Sequence, residues 1–104
     1  MRVENTPQFE RAFERLLSCN QDFYSQNTIR QFYTRYKHLR LLLQDNPQLG
    51  QHEPILKEFK LEYRRVLIDP YFKIIYTINN NVLYLVDIWD TRRDPNKLRS
   101  RIYS

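Results

Sequence analysis

Seven cationic side chains lie in or just after the apolar stretches of the second half of the chain. They are Arg64, Arg65, Lys73, Arg92, Arg93, Arg99 and Arg101. Guanidinium and ammonium groups bind phosphates and stabilise the negative charge that develops during phosphoryl transfer. Two interpretations stay open at this point. One is a concave basic surface that grips phosphates, and the other is a solvated sheet face whose charges prevent edge pairing.

Other reactive side chains are few. His38 stands among Arg and Lys in a helical pattern, and His52 stands in the turn-rich connector Leu49-Gly50-Gln51-His52-Glu53-Pro54, so neither has an evident nucleophile beside it. The single cysteine, Cys19, excludes an internal disulfide and is expected to be inert. The sequence contains no glycine-rich phosphate loop and no metal-spaced cluster of His and acids, so we predict no cofactor and no metal.

Aromatic residues alternate with the cations in the same stretches. They are Tyr63, Tyr71, Phe72, Tyr76, Tyr84 and Trp89. Rings beside a basic surface can stack on the bases of single-stranded nucleic acid. Tyr is also a good strand former that packs its ring and keeps its hydroxyl wet, so we expect packing for most of them.

Composition and charge limit the class of protein. The 104 residues are 41% apolar and carry a net charge of +5, which is enough for one core and favours anionic partners. Nucleic acid, an acidic protein segment and a membrane surface all meet that description. The chain shows no apolar run long enough for a signal peptide or a membrane span, so we expect a cytoplasmic protein without a membrane partner.

The first half of the sequence predicts two helices. Thr6 and Pro7 are typical of a helix start, with Thr as the N-cap and Pro in the first turn. A second and longer apolar stripe runs from Ile29 to Leu43 and is ended by Asp45-Asn46-Pro47. Two helices joined by a short connection are expected to pack as an antiparallel hairpin.

The second half predicts a sheet. Strands are expected at about 62–68, 71–78 and 82–89, with turns at Asp69-Pro70 and Asn79-Asn80-Asn81. Arg2 to Glu4 could add a short edge strand. The predicted class is α+β: an N-terminal antiparallel helical hairpin packed on one face of a three- to four-stranded antiparallel sheet, in a single domain over 1–104.

Four segments in this order resemble the toxins of the RelE/ParE superfamily, the plasmid stabilisation proteins of bacterial type II toxin–antitoxin systems. The segments are Leu43-Gln44-Asp45-Asn46-Pro47-Gln48-Leu49-Gly50, Glu62-Tyr63-Arg64-Arg65-Val66-Leu67, Tyr71-Phe72-Lys73-Ile74-Ile75-Tyr76 and Val86-Asp87-Ile88-Trp89-Asp90-Thr91-Arg92-Arg93-Asp94-Pro95. The similarity covers nearly the whole chain and lies in the order and spacing of the segments together.

The resemblance implies one of two activities. RelE-like members cut messenger RNA in the ribosome by 2′-hydroxyl attack, and ParE-like members poison DNA gyrase. By position, Arg64, Lys73 and either Arg92 or Arg93 match basic residues of the nuclease type, and Tyr103 loosely matches a C-terminal Tyr. The predicted catalytic set is therefore Arg64, Lys73, Arg92, Arg93 and Tyr103.

The sequence also departs from the nuclease pattern. A second strand Lys of some nucleases falls at about Val66 here, and the C-terminal His of others has no counterpart near Tyr103. If cleavage occurs, Lys73, Tyr103 or Glu62 would have to carry the proton. The ending Trp-Asp-x-Arg-Arg-Asp-Pro is closer to the ParE type, so both activities stay open and the assignment as an enzyme is undecided.

The resemblance implies a cognate antitoxin as partner, together with either the ribosome and its messenger RNA or DNA gyrase. An antitoxin segment would wrap the helices or cover the basic face and neutralise its charge. A third interpretation is a non-catalytic basic module that acts only as a corepressor or as a docking partner for a protein.

Overall fold

The computed structural model describes residues 1–20 and 25–103, except for the side chains of residues 19, 20 and 103. The strands are β1 (Arg2–Asn5), β2 (Gln51–His52), β3 (Tyr63–Leu67), β4 (Phe72–Asn79) and β5 (Val82–Asp90). The helices are α1 (Pro7–Asn20), α2 (Gln26–Asp45) and α3 (Pro95–Tyr103), with a 3₁₀ turn at Pro54–Leu56. No helix among the described residues is long and apolar enough to cross a membrane.

The strands form one sheet in the order β1-β5-β4-β3-β2. Strands β2 to β5 are antiparallel neighbours, and β1 pairs with β5 in parallel. The α+β class and the three central strands are confirmed. The sheet has five strands rather than three or four. It is not purely antiparallel, because β1 and its neighbour β5 are far apart in the sequence and no hairpin turn makes them run in opposite directions.

Local signals in the sequence account for the element boundaries. The Thr6 hydroxyl accepts from the Phe9 backbone N–H at 3.1 Å, which confirms the predicted start of α1. Helix α2 ends at Asp45 with Asn46 as its C-cap, also as predicted. Asn80 and Asn81 have φ of 51° and 63°, so the predicted β4–β5 turn takes the left-handed conformation that Asn tolerates in tight hairpins.

Helices α1 and α2 pack through aromatic rings. Phe9 lies 5.9 Å from Tyr36 and Phe13 lies 6.2 Å from Phe32, between ring centroids. Because the residue number rises along α1 while it falls along α2, the two helices are antiparallel, as predicted. Their apolar sides cover one face of the sheet, where they enclose the larger core with Ile74, Tyr76 and other strand residues.

The opposite face of the sheet is also covered, which the sequence did not predict. Leu98 of α3 and Leu56 of the 3₁₀ turn pack there with Ile75 and Trp89, all at most 1% exposed. The interpretation of this face as simply solvated is therefore wrong for its centre. These four residues form a second core, and cationic side chains on this face must lie at its rim.

Gly50 sits where a side chain would not fit. Its N–H donates to the buried Tyr76 hydroxyl at 2.8 Å, and that hydroxyl donates to the Pro47 carbonyl at 2.9 Å. A Cβ atom at position 50 would lie 2.5 Å from the Arg65 carbonyl oxygen and 2.7 Å from the Tyr76 hydroxyl oxygen. The close approach of the connector to the sheet therefore depends on glycine.

We expect Gly50→Ala to lower the free energy of unfolding by about 1–3 kcal/mol, the usual cost of forcing an extra carbon into a packed site. Denaturant unfolding measures this change. Gln51→Ala, at the exposed neighbouring position, is the control and should stay within about 0.5 kcal/mol of the parent. Equal stability of Gly50→Ala and the parent protein would contradict the packing described above.

Candidate nucleic-acid interface

A buried carboxylate holds two of the strand cations. Glu53, directly after β2, has 3% of its surface exposed. Its Oε2 accepts from the Lys73 Nζ at 2.7 Å and lies 3.5 Å from an Arg65 guanidinium nitrogen. A buried charge is tolerated only where opposite charge and hydrogen bonds compensate for lost hydration. Glu53 therefore fixes the positions of Lys73 and Arg65.

Strand alternation separates the two neighbouring arginines. Arg65 pairs with Ile75, which belongs to the second core. Ile75 and Lys73 are two residues apart on β4 and point to the same face, so Arg65 shares its face with Lys73. Arg64 points to the helical face, where it donates to the Gly50 carbonyl at 2.7 Å and lies 3.2 Å from Glu62. Of the two arginines, Arg65 is therefore the one beside Lys73, whereas Arg64 binds the connector through the Gly50 carbonyl.

Lys73 and Arg65 line an open cavity of about 580 Å³ at the edge of the sheet. Gln51 and Thr91 also contribute to its wall, and leucines of α2, the connector and β3 supply its apolar part. The Lys73 side chain is 12% exposed and the Arg65 side chain 33% exposed. The cavity can therefore place an anionic group against two charges and an apolar group beside it.

The turn after β5 carries the next pair of cations. Arg92 binds Asp90 with two hydrogen bonds, Nε to Oδ1 at 2.9 Å and Nη2 to Oδ2 at 3.0 Å. Its guanidinium also stacks 4.5 Å from the centre of the Tyr71 ring. The hydrogen bonds from Arg92 lower the pKa of Asp90 below its usual value.

A second buried carboxylate holds the last cations of the face. Asp87 is fully buried and accepts from Arg101 of α3 at 2.7 Å. Arg101 and Arg93 lie 5.1 Å and 4.6 Å from the centre of the Trp89 ring, which is 1% exposed. Burial raises the pKa of Asp87, against the opposing effect of Arg101. Arg101 is therefore held by a charge on one side and a ring on the other, and Arg93 lies against the same ring.

The structure does not gather the predicted catalytic set into one cluster. Lys73 lines the cavity, Arg92 and Arg93 lie on the turn after β5, and Arg64 lies on the opposite face. Tyr103 is the last residue of α3, and its side chain lies outside the described residues.

The remaining candidates lie apart from the cavity. His38 is exposed on α2, and His52 on β2 lies 3.4 Å from Glu62. The Cys19 side chain is outside the described residues, and Arg99 pairs with Glu58. Among the described residues, no group of three or more His, Cys, Asp or Glu is placed to hold a metal ion.

The sequence prediction missed the two carboxylates that organise the site. Asp87 had a usable signal, because an acid inside the apolar run Leu85-Val86-Asp87-Ile88-Trp89 must find a buried partner. Glu53 had no such signal in the sequence, because its partners lie far along the chain on β3 and β4. The aromatic residues follow the expected preference for packing, with Phe72, Tyr76 and Trp89 buried, while Tyr71 is 50% exposed.

The two acids should affect stability in opposite directions as the pH changes. A raised pKa, as in Asp87, contributes stability below the ordinary value of 3.8 that is lost as the pH rises through the raised pKa. A lowered pKa, as in Asp90, contributes stability above 3.8 that is lost as the pH falls through the lowered pKa.

For each variant, Asp87→Asn and Asp90→Asn, we take the unfolding free energy of the parent minus that of the variant and follow this difference across the acidic pH range. We expect the two differences to change with pH in opposite directions. The difference for Asp87 should fall with rising pH and that for Asp90 should rise. Urea unfolding at a series of pH values measures both. Slopes of the same sign would contradict the two assigned environments.

Comparison with known proteins gives matches among solved structures only; no family model and no curated protein matches the sequence. The toxin YafQ from E. coli BL21(DE3) superposes with a TM-score of 0.58 at 20% identity over 88% of this chain and 94% of that one. A copper-bound mutant toxin from Helicobacter pylori gives 0.59 at 17% identity over the same shares. The E. coli DinJ–YafQ complex gives 0.55 at 19% identity over 86% and 93%. The chain therefore has the fold of these bacterial toxins.

Proposed function

We propose that this chain is the toxin component of a type II toxin–antitoxin pair, a single domain over 1–104 that stops growth from within the cytoplasm. The shared fold supports the proposal, because it extends over 88% of this chain and 94% of YafQ. Two of the similar structures are complexes of YafQ with DinJ, one of them described as a toxin–antitoxin complex. The implied partner is a cognate antitoxin, and the net charge of +5 favours an acidic one.

The cavity beside Lys73 supports ribosome-dependent cleavage of messenger RNA as the first candidate activity. An RNA phosphate in the cavity would meet the Lys73 ammonium and the Arg65 guanidinium. When the 2′-oxygen attacks that phosphate, it loses its proton to solvent, the bond to the 5′-oxygen breaks, and the departing 5′-oxygen takes a proton from solvent. Negative charge grows on the phosphate oxygens meanwhile, and fixed cations stabilise this charge more than they stabilise the ground state. We assign Lys73 to charge stabilisation, since its ammonium is already paired with the buried Glu53 carboxylate.

Poisoning of DNA gyrase is the second candidate, and the position of the histidines favours it. His38 and His52 are both exposed and neither lines the cavity. A toxin that only binds its target needs the basic surface but no residue to carry a proton. A corepressor or docking module would also need the basic surface, but it would inhibit neither the ribosome nor DNA gyrase.

Primer extension on messenger RNA in a cell-free translation mixture tests the first candidate. Lys73 supports the fold through Glu53, so the informative variant is Glu53→Gln with Lys73→Gln, which removes the buried charge pair together. We expect discrete ribosome-dependent cuts with the parent and a cleavage rate about 100-fold lower with the double variant, the usual cost of losing a preorganised stabilising group.

Lys57→Gln is the matched control, because Lys57 is exposed beside the 3₁₀ turn and does not line the cavity. It should cleave like the parent, and thermal unfolding should show that the double variant is folded. Intact message in the presence of the folded parent would contradict the nuclease. A gyrase cleavage assay with the same three proteins would then test the second candidate.

A further inference from the structure

A second and smaller pocket lies where α1, the end of β5 and α3 meet. Its volume is about 200 Å³. Four arginines from three parts of the chain line it: Arg15, Arg92, Arg93 and Arg101. Apolar side chains, among them Phe72 and Ile88, form its floor. Of these four arginines, the predicted catalytic set contains Arg92 and Arg93.

Three of these arginines are held in place before any ligand arrives. Arg101 donates to the buried Asp87, and both Arg101 and Arg93 lie over the Trp89 ring. Arg92 is fixed by two hydrogen bonds to Asp90. A group whose orientation is already set loses little freedom when a ligand binds, so binding to it costs less. Arg15 is exposed and completes the rim from α1.

The cluster carries an excess of positive charge. Its four guanidinium groups stand against the carboxylates of Asp87 and Asp90. The pKa of Arg101 is lowered first by burial, and the nearby charges of Arg93 and Arg15 lower it further, while Asp87 acts in the opposite direction. Like charges gathered in this way repel, and an anion bound between them relieves the repulsion.

We propose that this pocket binds a phosphate group of an RNA backbone. Guanidinium groups match phosphate oxygens in charge and in geometry. The volume is below the roughly 300–1,000 Å³ of pockets for drug-sized ligands, so the pocket suits a phosphate group rather than a whole nucleotide. That the phosphate belongs to RNA rests on the proposed function, whereas the binding of phosphate does not.

The pocket adjoins the larger cavity across the turn after β5. Thr91 lines the cavity, and its neighbours Asp90 and Arg92 line the pocket. An RNA strand that places one phosphate beside Lys73 can therefore pass over this turn and place another phosphate in the pocket. The pocket then fixes the position of the strand, while the cavity holds the phosphate at Lys73.

Arg15→Gln and Arg11→Gln form a matched pair for the test. Both positions are exposed on α1 one turn apart, both variants lose one positive charge, and Arg11 does not line the pocket. Titration calorimetry with inorganic phosphate, at constant ionic strength set with chloride, measures binding to the pocket. We expect Arg15→Gln to bind about tenfold more weakly or worse, in line with the loss of one charge-assisted contact, and Arg11→Gln to bind like the parent.

Fluorescence anisotropy with a labelled single-stranded RNA then identifies the source of the phosphate. RNA should compete with inorganic phosphate, and its affinity should fall in Arg15→Gln but not in Arg11→Gln. No phosphate binding by the parent, or equal weakening in both variants, would overturn the pocket. Phosphate binding without competition by RNA would overturn its assignment to an RNA backbone and leave a site for free phosphate.

The same measurements separate this inference from the proposed function. Phosphate and RNA binding are measured on the isolated protein, without ribosomes. Binding that depends on Arg15, together with intact message in the translation mixture, would uphold the pocket and contradict the nuclease. A parent protein that cleaves messenger RNA but binds no phosphate would uphold the nuclease and overturn the pocket.

Discussion

The charge of Glu53 lies almost entirely out of water, and this constraint fixes much of the basic surface. A carboxylate with 3% of its surface exposed must be compensated, and Lys73 at 2.7 Å and Arg65 at 3.5 Å supply opposite charge. Asp87 imposes the same requirement on Arg101 from the other end of the face. Lys73 and Arg101 are therefore held by buried acids rather than left mobile in solvent. A surface of this kind is ordered before a ligand binds, which lowers the entropic cost of binding.

The two-layer covering of the sheet explains how these acids come to be buried. The helical hairpin closes one face, while α3 and the 3₁₀ turn close the centre of the other around Trp89. The rim of the second core is then the place where charged side chains can reach water and still contact a buried acid. Helix α3 has two roles as a result, since Leu98 completes the core and Arg101 binds Asp87.

Much of the fold could be predicted from the sequence because its signals are local. The Thr6-Pro7 start, the Asn46-Pro47 end and the Asn80-Asn81 turn each act within a few residues, and all three predictions are confirmed. Strand β2 was missed because two residues carry no pattern. The site depends on distant partners, so it was harder to predict. Alternation alone separates Arg64 from Arg65, but only the core on each face tells which of them lies beside Lys73.

The basic residues of the cavity and of the pocket are proposed to bind the phosphates of RNA. The most direct measurement is a nuclear magnetic resonance titration of the arginine Nε–H and lysine ammonium signals with a single-stranded RNA. If the proposal holds, the signals of the cations of the pocket and the cavity shift together at one RNA affinity, while Arg11 and Lys57 stay in place; these cations are Arg15, Arg65, Lys73, Arg92, Arg93 and Arg101. Uniform small shifts of all arginines, or shifts confined to α2, would contradict a defined interface at this end of the sheet.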